Sequence, residues 1–132
     1  MSDKDLMVIS RYASVVDVVY NKPPGDVKKV IYDIIKRYPV EVFEIPDMAY
    51  LLLVKIRKGF YGISWVCVRP EDQGCGMGTQ LLCQVLSKYS GLFVAKTHDA
   101  GEWYRKNGFV CVKLVDGVSV WVLVSDVGVV DF

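Results

Sequence analysis

The chain has 132 residues, a formal net charge of +1 and 52% apolar residues, with three Trp, eight Tyr and five Phe. That length suits one domain with a real core, and the composition excludes a disordered chain. The near-neutral charge argues against nucleic-acid binding driven by bulk electrostatics, and every apolar run is too short to span a bilayer.

The four cysteines, Cys67, Cys75, Cys83 and Cys111, form no Cys-x-x-Cys pair, and His98 is the one histidine. Reduced thiols are expected rather than a zinc site. The opening Met-Ser-Asp-Lys-Asp lacks the apolar segment of a signal peptide, so a cytoplasmic location is expected.

Leu6 to Ser10 reads as a short first strand. Ser14 to Asn21 reads as a short helix or as more strand, and its valines favour strand by propensity. Asn21-Lys-Pro-Pro-Gly25 breaks the chain. A helix is predicted from about Asp26 to Arg37, where Val27, Val30, Ile31, Ile34 and Ile35 recur at helical spacing; Pro39 ends it. Val40 to Ile45 and Ala49 to Lys58 are predicted strands, separated by a Pro46-Asp47 turn. The tight Lys58-Gly59 connection makes Phe60 to Val68 the antiparallel partner of the second. Tyr61 and Trp65 then share one face of that strand.

A glycine-rich stretch follows, Val68-Arg-Pro-Glu-Asp-Gln-Gly-Cys-Gly-Met-Gly-Thr79, and opens onto a helical pattern to Tyr89. A strand, a loop and a helix start in succession offer free backbone N–H groups and a positive dipole end to an anion. Gly74, Gly76 and Gly78 permit unusual backbone conformations and close approach. A pyrophosphate is the expected ligand. Glu71 and Asp72 would repel it and should point to solvent.

After Ser90-Gly91, Leu92 to Lys96 reads as a central strand buried on both faces. Asp99-Ala-Gly-Glu102 has the form of a capping box opening a short helix to Asn107. Phe109 to Val115 and Val118 to Ser125 form a hairpin across Asp116-Gly117. The apolar tail Val127 to Phe132 is expected to dock on the domain or a partner. The order is β-α-α-β-β-β-α-β-α-β-β, an α+β fold with a mixed, mostly antiparallel central sheet flanked by helices, in a single domain 1–132.

Gln73-Gly-Cys-Gly76-Met-Gly78, preceded by Val68-Arg-Pro70, resembles motif A of the GNAT superfamily of N-acetyltransferases. Trp103-Tyr104-Arg-Lys-Asn-Gly108-Phe109 resembles its motif B, and a two-strand hairpin ends the chain. Ile9-Ser-Arg11-Tyr-Ala13 with Asp17 is similar to the pattern that often opens these domains, which favours a helix at Ser14 to Asn21. Leu92 to Thr97 running quickly into Trp103 resembles the short version in N-acetylglutamate synthase-like domains.

The resemblance implies acetyl-CoA or another acyl-CoA as cosubstrate and no metal. Backbone at Val66, Cys67 and Val68 would pair with the pantetheine, and amides of Gln73, Gly74, Cys75, Gly76, Met77, Gly78 and Thr79 would hold the pyrophosphate. The implied reaction is direct acetyl transfer to a primary amine of a small molecule or protein. Tyr104 matches the motif B tyrosine that protonates the departing thiolate. Many members carry a carboxylate on the strand before the loop; Phe60 to Val68 has none. Glu41 and Glu44 are the candidate bases, and three residues apart they point to opposite faces of a strand. Cys75 and His98 are better read as a backbone donor and a loop-end residue than as a nucleophile and a base.

The Asn21 to Gly25 loop and the Gly117 hairpin are expected to frame the acceptor. The alternative function is a non-catalytic acyl-CoA-binding sensor acting on a protein partner. A weaker third reading is a scaffold that dimerises through the C-terminal hairpin at Trp121.

Overall fold

The computed structural model describes residues 2–125. The apolar tail at Val127 to Phe132 lies outside the described residues. Two helices come first, α1 (Asp3–Val19) and α2 (Asp26–Ile35). Strands β1 (Val40–Ile45), β2 (Ala49–Arg57) and β3 (Phe60–Val68) follow, then a 3-10 turn (Pro70–Asp72) and α3 (Met77–Lys88). The chain continues through β4 (Gly91–Thr97), α4 (Gly101–Lys106), β5 (Val110–Val115) and β6 (Val118–Ser125). Among the described residues no helix is long and apolar enough to cross a membrane.

The strands form one sheet in the order β1-β2-β3-β4-β6-β5. Neighbours are antiparallel except β3 and β4, which run parallel. This is the expected mixed, mostly antiparallel α+β architecture. Helices α3 and α4 cover one face, where Phe43, Leu51, Leu53, Leu81, Phe93 and Trp121 form a core. Helices α1 and α2 cover the other, over a second core that contains Tyr12, Val16, Ile31, Tyr50 and Leu52.

The expected strand at Leu6 to Ser10 is instead the middle of α1. Ile9, Tyr12, Ala13 and Val16 recur at helical spacing and are all buried. Ser2 opens the helix with a capping box: Asp5 N–H donates to the serine hydroxyl at 3.2 Å, and Ser2 N–H donates back to the Asp5 carboxylate at 3.4 Å. Packing of this stripe outweighs the strand propensity of the valines, and Val18 is left pointing outward. The helix expected at Ser14 to Asn21 forms the end of α1.

Buried Asp17 then determines how the chain enters α2. Its carboxylate accepts from Gly25 N–H at 3.0 Å and from Val27 N–H at 3.1 Å. One side chain thereby spans the breaker loop and satisfies amides at the start of a helix whose own N-cap, Gly25, has no side chain to do so.

The capping box expected at Asp99 does not form. Ala100 is the N-cap of α4, and Thr97 Oγ1 accepts from the N–H groups of Asp99 and Ala100 at 3.3 and 2.9 Å. Glu102 pairs with Arg105 instead.

A bulge in β3 controls what each half of that strand faces. Leu52 pairs with Ser64 but Tyr50 pairs with Cys67, so β3 carries one extra residue. Trp65 adopts φ 47°, a left-handed conformation that is costly for a bulky residue. The Tyr12 hydroxyl, fully buried in α1, donates to the carbonyls of Ser64 and Trp65 at 2.8 and 2.9 Å. Tyr61 and Ile63 face α3; beyond the bulge Val66 and Val68 do so, while Trp65 and Cys67 face α1. Tyr61 and Trp65 therefore lie on opposite faces, contrary to the simple alternation.

On β1, Glu41 accepts from Tyr89 Oη at 2.5 Å and Lys88 Nζ at 2.7 Å, and pairs with Lys55 at 3.2 Å. Burial alone would raise its carboxyl; the hydrogen bonds from Lys88, Tyr89 and Lys55 outweigh this and hold it below the ordinary value.

Two outcomes follow from these contacts. Tyr12→Phe should lower stability in urea by about 1–3 kcal/mol, because two carbonyls lose their buried donor. Faster amide exchange at residues 64–67 should accompany it, and an unchanged midpoint would show that the bulge holds itself. Glu41 has a depressed pKa in the fold, so its contribution is present above the unfolded value of about 4.3 and fades as pH falls through the lower folded value. Glu41→Gln should then cost about 1 kcal/mol at pH 7 and progressively less below pH ~4. A penalty that persists at pH 2.5 would refute the assignment.

Candidate active site

Strands β3 and β4 stay paired from Phe60 with Leu92 to Ile63 with Ala95, and go no further. The bulge turns the rest of β3 away, and a cavity of about 960 Å³ opens in the gap. Trp65 to Val68 line one side, and Lys96, Thr97 and His98 line the other. Backbone polar groups of two diverging strands thus face a space large enough for an extended ligand.

The glycine loop closes one end. Gly74 and Gly76 have φ values of 86° and 77°, a region that other residues adopt only with strain. Gly76 is the N-cap of α3, so the first amides of that helix point out of the loop without intrahelical partners. Gly78 serves a different purpose. A Cβ there would lie 3.2 Å from Trp103 Cζ2 and 3.4 Å from Val66 Cγ1. Its absence lets α3 pack tightly between β3 and α4.

The loop is also braced. Gln73 Nε2 donates to Val68 O at 3.1 Å. Arg69 donates to the Asp72 carboxylate from Nε at 2.8 Å and forms an ion pair through its terminal nitrogen at 2.7 Å. Glu71 is exposed, as expected; Asp72 is not. Asp72 is half-buried and lines the cavity, where the Arg69 fork neutralises it.

From β3, Val66, Cys67 and Val68 line this cavity. So do Gln73, Gly74, Gly76 and Met77 to Thr79, and Tyr104 from α4. Cys75 does not; within the loop it is exposed. Lining residues that the sequence reading did not single out include Tyr20 just after α1, Lys96 of β4, and Trp103 and Lys106 of α4, while Lys22 of the loop expected to frame the acceptor lines this cavity instead. Tyr20 was obscured by the breaker cluster that follows it, and only the fold brings that loop to the cavity.

Tyr104 packs edge-on against Trp103 and Phe109, with ring centroids 5.0 and 5.1 Å away. Burial, with a smaller contribution from Tyr20, pushes its phenol well above the ordinary value of about 10. It remains a neutral proton donor at any working pH. Burial also pushes the Cys67 thiol up to about 11, so it is no thiolate nucleophile near neutrality.

A second cavity, about 550 Å³, lies on the α1 and α2 face of the sheet. Trp65 and Lys96 line both cavities, so the two adjoin there, between the bulge of β3 and the end of β4. Glu41 and Glu44 line neither. Glu41 is committed to Lys55, Lys88 and Tyr89 on the α3 side, and Glu44 pairs with Arg11 of α1 at 3.6 Å. Nor does the Asp116-Gly117 turn line either cavity.

Residues 42–111 match the family model of the acetyltransferase (GNAT) domain. No curated protein matches the sequence. Solved structures do match. Tetrahymena GCN5 superposes with a TM-score of 0.75 at 13% identity, covering 99% of this chain and 94% of that one. PaiA N-acetyltransferase from Thermoplasma acidophilum, in complex with coenzyme A, superposes with a TM-score of 0.66 at 14% identity over 94% and 95% of the two chains. A GNAT family acetyltransferase from Elizabethkingia anophelis with acetyl-CoA bound gives 0.58 at 17% identity over 74% and 82%. The family model spans the bulged strand, the glycine loop and the Tyr104 helix, and with the same fold in these structures the chain belongs to the GNAT acetyltransferase family.

Proposed function

We propose that the protein transfers an acetyl group from acetyl-CoA to a primary amine by direct attack in a ternary complex. The observation that carries this reading is the junction at Trp65 and Lys96. There a cavity shaped for an extended, anion-ended ligand meets a second, separate cavity on the other face of the sheet.

Acetyl-CoA supplies an activated acyl thioester. Amides between Gln73 and Thr79 at the start of α3 hold its pyrophosphate, and the backbone at Val66 to Val68 pairs with its pantetheine amides as an added strand would. Support comes from the left-handed glycines, the free helix start and the splay of β3 from β4. The acyl group then lies beside the bulge, where a backbone N–H near Val66 polarises its carbonyl. Tyr104 donates a proton to the sulfur that departs. Burial raises its pKa, which keeps the phenol protonated but makes full transfer costlier, so its hydrogen bond to the departing sulfur carries much of the effect.

The amine must arrive neutral, and among the described residues no carboxylate lines the smaller cavity, while Asp72 and Asp99 line the larger one. The Lys96 ammonium favours the neutral form of a neighbouring amine by like-charge repulsion, and water carries the proton off. The missing carboxylate also favours the second reading, a module that binds acyl-CoA without turnover.

Acetyl-CoA at ~100-fold excess over its Kd should stabilise the protein by ~2.7 kcal/mol, read as a rise in Tm. No rise at millimolar acetyl-CoA would sink both readings. Release of CoA thiol on addition of an amine is expected only of the enzyme. Tyr104→Phe should lower turnover roughly 10²-fold while the acetyl-CoA shift in Tm is kept. Equal turnover in the variant would remove Tyr104 from the mechanism.

A further inference from the structure

We infer that the acceptor is a free α-amino acid with an aliphatic or aromatic side chain, held by its carboxylate at Lys96 and by its side chain in the smaller cavity. This rests on the acetyltransferase reading above and narrows the amine it takes.

The smaller cavity is walled by Ile34 of α2, Val54 and Ile56 of β2, Phe60 and Trp65 of β3, and Val94 of β4. Its polar groups come from Tyr38, Ser64 and Lys96, and among the described residues no Asp or Glu lines it. A second ammonium on the acceptor would enter apolar walls with no anionic partner and with a lysine already present. Both desolvation and like charge oppose that. Polyamines, aminoglycosides and lysine-rich peptides are therefore poor fits.

The junction narrows the acceptor further. To reach the donor, the amine must sit where the two cavities meet, which is beside Lys96. The anion that pairs with Lys96 must then lie next to the amine, and a carboxylate on the same carbon does. A peptide N-terminus presents a neutral amide there instead. The remaining side chain points into about 550 Å³ of mostly apolar space, which has room for an aromatic ring.

The reaction balances without a further reagent. The amine nitrogen bonds to the acetyl carbon and the carbon–sulfur bond breaks. Nitrogen loses one proton to water, and sulfur gains one from Tyr104, which recovers it from solvent. The products are an N-acetyl amino acid and CoA.

The test compares L-phenylalanine, L-leucine and L-methionine with phenethylamine, L-phenylalaninamide, spermidine and kanamycin, by CoA release. A change in tryptophan emission on adding L-phenylalanine, without acetyl-CoA, gives an independent binding readout, because Trp65 walls the smaller cavity. We expect kcat/KM for L-phenylalanine to exceed that for phenethylamine and L-phenylalaninamide by at least ~10-fold, the scale of one charge-assisted contact. Lys96→Met should shrink that ratio toward one. Gly62→Ala adds a methyl on the cavity floor at 3.7 Å from Val54 Cβ, an ordinary contact that the fold tolerates. It should raise KM for L-phenylalanine more than for L-alanine.

Faster acetylation of spermidine, kanamycin or the amide than of any free amino acid would overturn the inference and leave the acetyltransferase reading standing. So would a Tm rise with acetyl-CoA but no amino-acid acetylation. If acetyl-CoA neither shifts Tm nor is consumed with any amine, both fail together.

Discussion

The bifurcated hydrogen bond from Tyr12 to the carbonyls of Ser64 and Trp65 is the contact on which the site depends. A regular β3 would stay paired with β4 and close the sheet. The extra residue instead puts Trp65 in a left-handed conformation that its side chain disfavours by roughly 1–3 kcal/mol. That conformation persists because α1 supplies a buried donor at the one place where the strand's carbonyls turn out of the ladder. Helix α1 is thus part of the site while lining little of it. Its buried stripe positions the phenol, the phenol holds the bulge, and the bulge opens the gap between the strands.

The same reasoning separates the three glycines of the loop. Gly74 and Gly76 supply backbone conformation, with open space where a side chain would be. Gly78 supplies proximity, since Trp103 and Val66 occupy the space that a Cβ would need. The first two expose amides at a helix start; the third brings that helix against the strand whose backbone faces the same cavity. The acid at Asp72 is tolerated in this wall because Arg69, three residues before it, meets it with two nitrogens.

Most of the sheet was legible from the sequence because hairpin turns and β-branched runs are local signals. Val40–Ile45, Ala49–Arg57 and the last two strands fall within a residue of the reading. The glycine loop was legible for the same reason. What failed was non-local. The valines of α1 suggest a strand until Ile9, Tyr12, Ala13 and Val16 are seen packed against β3. The relation of Tyr61 to Trp65 cannot be had from alternation, because one extra residue between them reverses the faces. Glu41 looked free to serve as a base, yet its lysine and tyrosine partners lie as far as Lys88 and Tyr89, across the sheet edge. The capping box at Asp99 had the right letters, but Thr97 already takes the Asp99 N–H that Glu102 would have accepted, and the helix starts one residue later.

Charge is divided between the two cavities in a way that follows from these contacts. The larger one gathers Lys22, Lys96, Lys106 and a helix start against Asp99 and an Asp72 that Arg69 neutralises, a balance that still suits a ligand carrying several phosphates. The smaller one has Lys96 alone at its mouth and apolar walls beyond. In the proposed reaction, a protonated amine finds no counter-ion among the described residues of the smaller cavity, which favours entry of the neutral base. An acceptor that carries its own carboxylate cancels the Lys96 charge once bound, and so enters more easily than a simple amine. That same cancellation weakens the push on the amine's own pKa, which ties binding strength and reactivity to a single lysine.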